Sequence, residues 1–259
     1  MSAKNSVLIA ILAIAAGQLL ACTESSPPLD NQYLISTAEI TENIDRFVGK
    51  SVNVRNDVVE TIGDRGLILD RDGILSNETL LVIDTSKNPF PFLPFSGDRT
   101  PEILVRGRAV KLNFDRLQQE FSLNLDPKQY VRYEGTPTII ATATILSPDP
   151  EDLSDRPDLY YDLPLAIKGE VEDIDRKHSL FELDEERAFG GEDLLVLQTR
   201  SIELNEEQNV ILYGLLRSFV AEELERNYNL GWDSSTQQQL EAKYRQKPVF
   251  VAEKIQILQ

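Results

Sequence analysis

The chain has 259 residues, of which 43 are Asp or Glu and 26 are Lys or Arg, for a formal net charge of −17. A field of that sign repels a phosphate backbone, and no basic stripe opposes it, which argues against nucleic acid as a partner. A single cysteine rules out an internal disulfide, so apolar burial must hold the folded part together.

In chain order, Lys4 precedes an apolar run, Val7–Ala16. That run is shorter than the roughly 20 residues a membrane span needs and has the size of a signal-peptide core. Leu19-Leu20-Ala21-Cys22 follows, and this stretch resembles the lipobox of bacterial lipoproteins. The resemblance implies a signal peptide over residues 1–21, a lipid on the Cys22 thiol, and an extracytoplasmic protein anchored to a bacterial membrane. Thr23 stands where an Asp would favour inner-membrane retention, so the expectation leans towards the outer membrane. An ordinary cleaved signal and a retained anchor helix are the alternatives. The cysteine count supports the lipoprotein reading, because a lone exposed thiol is a liability in an oxidising compartment and lipidation removes it.

Residues 22–36 are polar and proline-bearing and read as a flexible tether. Ser36–Gly49 then predicts a helix, with Thr37 as cap, Ile40, Ile44 and Phe47 on one face, and Gly49 at its end. Beyond it, one strand pattern occurs four times: apolar residues at alternate positions around a Gly or Asn. The four are Val52-Val54-Asn56-Val58, Ile103-Val105-Gly107-Ala109, Leu165-Ile167-Gly169-Val171 and Val210-Leu212-Gly214-Leu216. The alternation marks strands with one buried face. The central Gly or Asn suits positive φ or a bulge, where a strand must bend.

Between the members of each pair lies a near-copy, "ETLLVIDT" at Glu78–Thr85 and "EDLLVLQT" at Glu192–Thr199. Shorter apolar pieces, Gly66–Asp70 and Ser179–Leu183, precede these. After the fourth strand, Leu117, Phe121 and Leu123 match Leu224, Tyr228 and Leu230 at a constant offset of 107. Second short helices open at Asp126-Pro127 and Asp233–Ser235, and both halves end alike, "PTIIA" at Pro137–Ala141 against "PVFVA" at Pro248–Ala252. A repeat of about 110 residues is a duplicated domain, too long for a solenoid unit.

Five strands with bent first and fourth members resemble the OB-fold, in its anticodon-binding-like branch and bacterial envelope relatives. The resemblance covers roughly residues 50–147 and 163–259. It implies an all-β chain with small helical insertions, in two tandem five-stranded Greek-key barrels. The domains expected are 37–147, including the leading helix, and 162–259, joined by an extended, acidic, proline-rich linker over 148–161.

No catalytic constellation stands out. His178, the one histidine, falls in the turn between the first two strands of the second half and reads as solvent-exposed; alone, it makes no familiar zinc site. The D-x-D-G at Asp70–Gly73 lacks the closing ligands of a calcium loop and reads as a hairpin turn. No metal or cofactor is expected. Trp232 is a candidate stacking platform, but its repeat partner is Leu125, which favours packing. One segment breaks the repeat: Asn88–Asp98 carries Phe90, Phe92, Leu93 and Phe95 among three prolines, where the second half has a polar link. Those side chains must cover their own barrel, the other domain, a lipid surface or a partner. They form the best candidate interaction loop. The function expected is a non-enzymatic, membrane-tethered binding or assembly module for an envelope protein or polysaccharide. The alternative is an envelope hydrolase using a carboxylate pair hidden among the acids.

Overall fold

In the computed structural model, residues 34–70, 79–87, 89, 100–184 and 193–258 are described. The chain is mostly β, with a closed five-stranded barrel and few helices. Helices α1 (Thr37–Glu42) and α2 (Ile44–Phe47) lead into β1 (Ser51–Ile62), β2 (Gly66–Leu69) and β3 (Leu80–Asp84). Then come β4 (Glu102–Lys111), α3 (Phe114–Phe121), α4 (Pro127–Tyr130) and β5 (Pro137–Leu146). Strand β1 pairs antiparallel with β2 and β4, β2 with β3, and β4 with β5. A parallel β3–β5 pairing closes the ring. The second half contains α5 (Pro150–Asp155), β6 (Pro164–Asp175), β7 (Leu180–Asp184), β8 (Leu194–Gln198), β9 (Asn209–Ser218), α6 (Ala221–Tyr228), α7 (Ser234–Tyr244) and β10 (Pro248–Ile257). Among its strands the same five pairings recur, including a parallel β8–β10.

The near-copied octapeptide has a physical reason. Leu80 and Val82 point into the barrel, in one cluster with Val54, Val105 and Ile139. Leu81 and Ile83 point the other way, into a second cluster with Phe114, Leu117 and Tyr130 from α3 and α4. A strand covered on both faces reads as a continuous apolar run. In β8, Leu194 and Val196 face inward while Leu195 and Leu197 meet Phe219, Leu224, Trp232 and Leu240. The closing threonine is equally constrained. Thr85 donates both N–H and Oγ1–H to the Ala141 carbonyl (2.9 and 2.8 Å), and Thr199 does the same to Ala252 (3.3 and 2.8 Å).

The central glycines serve close approach rather than positive φ. A Cβ on Gly107 would lie 2.4 Å from the Ile140 carbonyl oxygen, and one on Gly214 would lie 2.0 Å from that of Val251. Both face a bulge, where the ladder slips by one residue between Arg106 and Gly107 or between Ala252 and Lys254. Asn56, the one exception to glycine, uses its amide instead. Its Nδ2 donates to Thr37 Oγ1 (3.0 Å) and to the Asp70 carbonyl (3.2 Å), tying α1 to β1.

Two expectations need correction. The cap of α1 is Ser36, whose Oγ accepts from Glu39 N–H at 3.1 Å, while Thr37 is buried. The larger one concerns the extended linker over 148–161. Residues 150–155 form α5, and Leu153 is 0 % exposed inside the main core. An offset of 113 brings Ile40 onto Leu153, Phe47 onto Tyr160 and Gly49 onto Asp162. Ile40 is also 0 % exposed. The backbone N–H of Gly49 donates to Ala109 and that of Asp162 to Leu216, at equivalent places on β4 and β9. The supposed linker is therefore the second copy of the leading helix, held by burial of Leu153, which outweighs its acidic, proline-rich composition. Arg55 on β1 fixes where it starts. Its guanidinium donates to Ser147 Oγ and O (both 2.9 Å) and pairs with Asp149 (2.7 Å) and Glu102 (2.6 Å). Asn31–Gln259 form one compact unit.

Candidate interaction sites

Cys22 and the loop residues Phe90, Phe92, Leu93 and Phe95 lie outside the described residues. Both stems that carry the loop are described. On the β3 side, Asp84 is 2 % exposed and its carboxylate accepts from Ser86 N–H and Thr144 Oγ1, both at 2.8 Å. Arg65 Nη1 donates to the Asp84 and Ser86 carbonyls at 3.0 and 2.9 Å. On the β4 side, the Pro101 carbonyl accepts from Val58 N–H at 2.9 Å. The described residues on either side of the loop are thus each tied to the barrel wall.

Val58 pairs with Leu69, which pairs with Leu80, so the end of β2 and the start of β3 lie beside the Pro101 stem. This end is acidic. Burial raises the Asp57 carboxyl above its ordinary value, the charges of Asp70 and Asp149 add to that, and a hydrogen bond from Thr100 opposes it. The corresponding end of the second half is acidic too. There Glu170 sits opposite Asp184 and Glu172 opposite Glu182 across β6 and β7. Like charges directly opposite repel, and burial followed by neighbouring carboxylates raises Glu172, Glu182 and Asp193. Among the described residues, no group of three or more His, Cys, Asp or Glu is arranged to hold a metal ion.

Trp232 is 4 % exposed and stacks on Phe219 at 6.3 Å between centroids, in the layer that covers β8. Its repeat partner Leu125, 8 % exposed, fills the same layer in the first half. A stacking platform needs an open face, which Trp232 lacks. His178 does sit in a turn, but its side chain is 15 % exposed rather than open to solvent. Asp175 accounts for this by accepting from both the His178 backbone N–H (3.2 Å) and the ring Nδ1 (2.6 Å). Burial alone would raise the Asp175 carboxyl, but the hydrogen bond and charge of His178 outweigh it and hold it low.

One group of side chains was invisible in the sequence. Leu104, Ala166 and Ile211 are buried together, with Leu34, Ile145, Tyr213 and Leu258 packed around them. Leu104 and Ile211 are repeat partners at the offset of 107, so equivalent outward positions of β4 and β9 share this cluster with Ala166 of β6. Arg106 and Tyr213, two residues further along, lie on those same faces. Lys254 lies opposite Tyr213 on β10, with its ammonium 5.5 Å from the ring centroid.

No family model matches this chain, and no curated protein matches it.

Proposed function

We propose that the protein is a bacterial envelope lipoprotein, tethered through Cys22, that acts as a non-enzymatic binding or assembly module built from two tandem OB-like Greek-key barrels. The observation that carries this reading is the recurrence of one five-strand pairing scheme in both halves around aliphatic interiors. When the framework is repeated, what distinguishes the copies is their loops, and loops on a rigid scaffold are where recognition resides. The first copy replaces the polar Arg200–Gln208 connection with the Phe- and Pro-bearing Asn88–Asp98. Anchored stems on β3 and β4 suit such a loop to present apolar groups to an envelope protein, with polysaccharide as the second choice. Acyl chains, at about 0.8 kcal/mol per buried methylene, would supply the anchor.

The test begins with Cys22→Ser. Fatty-acid label on the wild type and release of the variant from membranes are the expected results. Absence of label on the wild type would contradict the tether. Replacing Phe90, Phe92 and Phe95 by Ser should then abolish cross-linking to an envelope partner while the melting temperature holds. A collapse of the first barrel would instead make the loop structural.

A further inference from the structure

We propose that Arg106, Tyr213 and Lys254 form a binding site for a single oxyanionic group, a phosphate or a carboxylate, in the seam between the two repeats. The inference stands whether or not the chain is tethered to a membrane.

The seam is the cluster in which Leu104 of β4 and Ile211 of β9 are buried together with Ala166 of β6. Alternation along each strand places Arg106 and Tyr213 next to that contact. Lys254 reaches the same place from β10, directly across from Tyr213 and beside the bulge that turns the strand. Its ammonium lies over the Tyr213 ring at 5.5 Å, a contact with an electron-rich face rather than with a counter-ion. Among the described residues, neither Arg106 nor Lys254 has a carboxylate partner.

In a chain with 43 acids, two neighbouring cations without one are an unneutralised positive spot. Lys254 is exposed as a residue, but partial burial of its ammonium and then the Arg106 charge hold it below its ordinary pKa. Burial pushes the Tyr213 phenol up to about 12, so its hydroxyl stays a donor at neutral pH. A planar guanidinium, a point-charge ammonium and a hydroxyl donor are the groups that recognise an oxyanion. An anion seated between the cations would turn their repulsion into two attractions. The repeat relation sharpens the assignment. Tyr213 is the counterpart of Arg106, and Ala143 stands where the second copy has Lys254. The site is thus assembled from positions at which the two copies diverged, and neither repeat carries it alone.

The test is an NMR titration of the full chain at fixed ionic strength, following the Tyr213 ring. Sodium phosphate and sodium acetate are the free probes, and phosphatidylglycerol vesicles against phosphatidylcholine vesicles are the lipid probe. The expected result is a saturable shift with at least one probe. Arg106→Gln and Lys254→Gln should each weaken it about tenfold or more, as loss of one charge-assisted hydrogen bond implies, and Lys254→Arg should retain it. A shift seen with phosphatidylglycerol but not with free phosphate would assign the group to a lipid headgroup. Should Arg106→Gln disturb the seam, Lys254→Gln decides, because Lys254 is exposed. A response that is linear, is matched by sodium chloride, or persists in Lys254→Gln would overturn the proposal.

Discussion

The two repeats solve the same packing problem with different side chains. In the first, the helical layer over β3 is closed by Tyr130, whose ring lies 5.9 Å from that of Phe114 and whose hydroxyl donates to the Ile62 carbonyl at 2.7 Å. In the second, Phe219 meets both Trp232 and Tyr244, at 6.3 and 5.4 Å between ring centroids. The backbone devices did not drift in this way. The glycine facing the bulge, the threonine just past the end of β3 or β8 and the buried aliphatic of the leading helix are matched in both copies. Apolar volume can be supplied by several residues, whereas a carbonyl 2.0 Å from a would-be Cβ admits glycine alone.

That contrast predicts how the repeats respond to change. Gly107→Val and Gly214→Val should each cost about 4 kcal/mol or more, because the obstacle is backbone that cannot move aside. Chemical denaturation would show it as loss of the folded baseline. Next in size, Leu153→Ala should cost about 3 kcal/mol, the same as Ile40→Ala, through the cavity left in the core. A value near zero for Leu153 alone would break the equivalence of the two leading helices. Thr85→Val and Thr199→Val should each lose about 1 kcal/mol, the net worth of one hydrogen bond. Unequal losses would show that the two bulges are held differently.

The smallest effect is on pH dependence. Asp57, Glu172, Glu182 and Asp193 have folded pKa values raised by burial and by neighbouring acids. Each raised carboxyl favours the folded state most when protonated, and that contribution is lost as pH rises through its folded value. The melting temperature should therefore rise slightly on going from neutral to mildly acidic solution. Asp175 and Asp233 are lowered, so their contribution is present above the ordinary carboxylate value of 3.8 and is lost below it. A melting series against pH should pass through a maximum. Asp57→Asn should flatten its neutral side.

Much of the framework was legible because it is written in periodicity. Alternation in β1, β4, β6 and β9 and the double-faced run in β3 and β8 depend on which faces are covered, and sequence records that directly. The leading helix of the second copy was not legible from composition, since Pro150, Pro157 and five acids conceal one buried leucine. Sliding the two halves past each other at 113 would have found it. The seam cations were out of reach for a different reason. Arg106 and Lys254 stand on strands of different repeats, and the cluster that brings the two repeats together here, Leu104, Ala166 and Ile211, follows from the tertiary packing and not from local pattern.

The central claim is that the repeat unit includes its leading helix, so that residues 149–162 belong to the folded body rather than joining two of them. Amide hydrogen exchange tests this most directly at Asp162 and Gly49, which donate to the equivalent carbonyls of Leu216 and Ala109 at 3.3 and 2.8 Å. Both amides should be protected to a degree comparable with the adjoining strands. Rapid exchange at Asp162 with protection at Gly49 would contradict the claim and restore a linker between two separate domains.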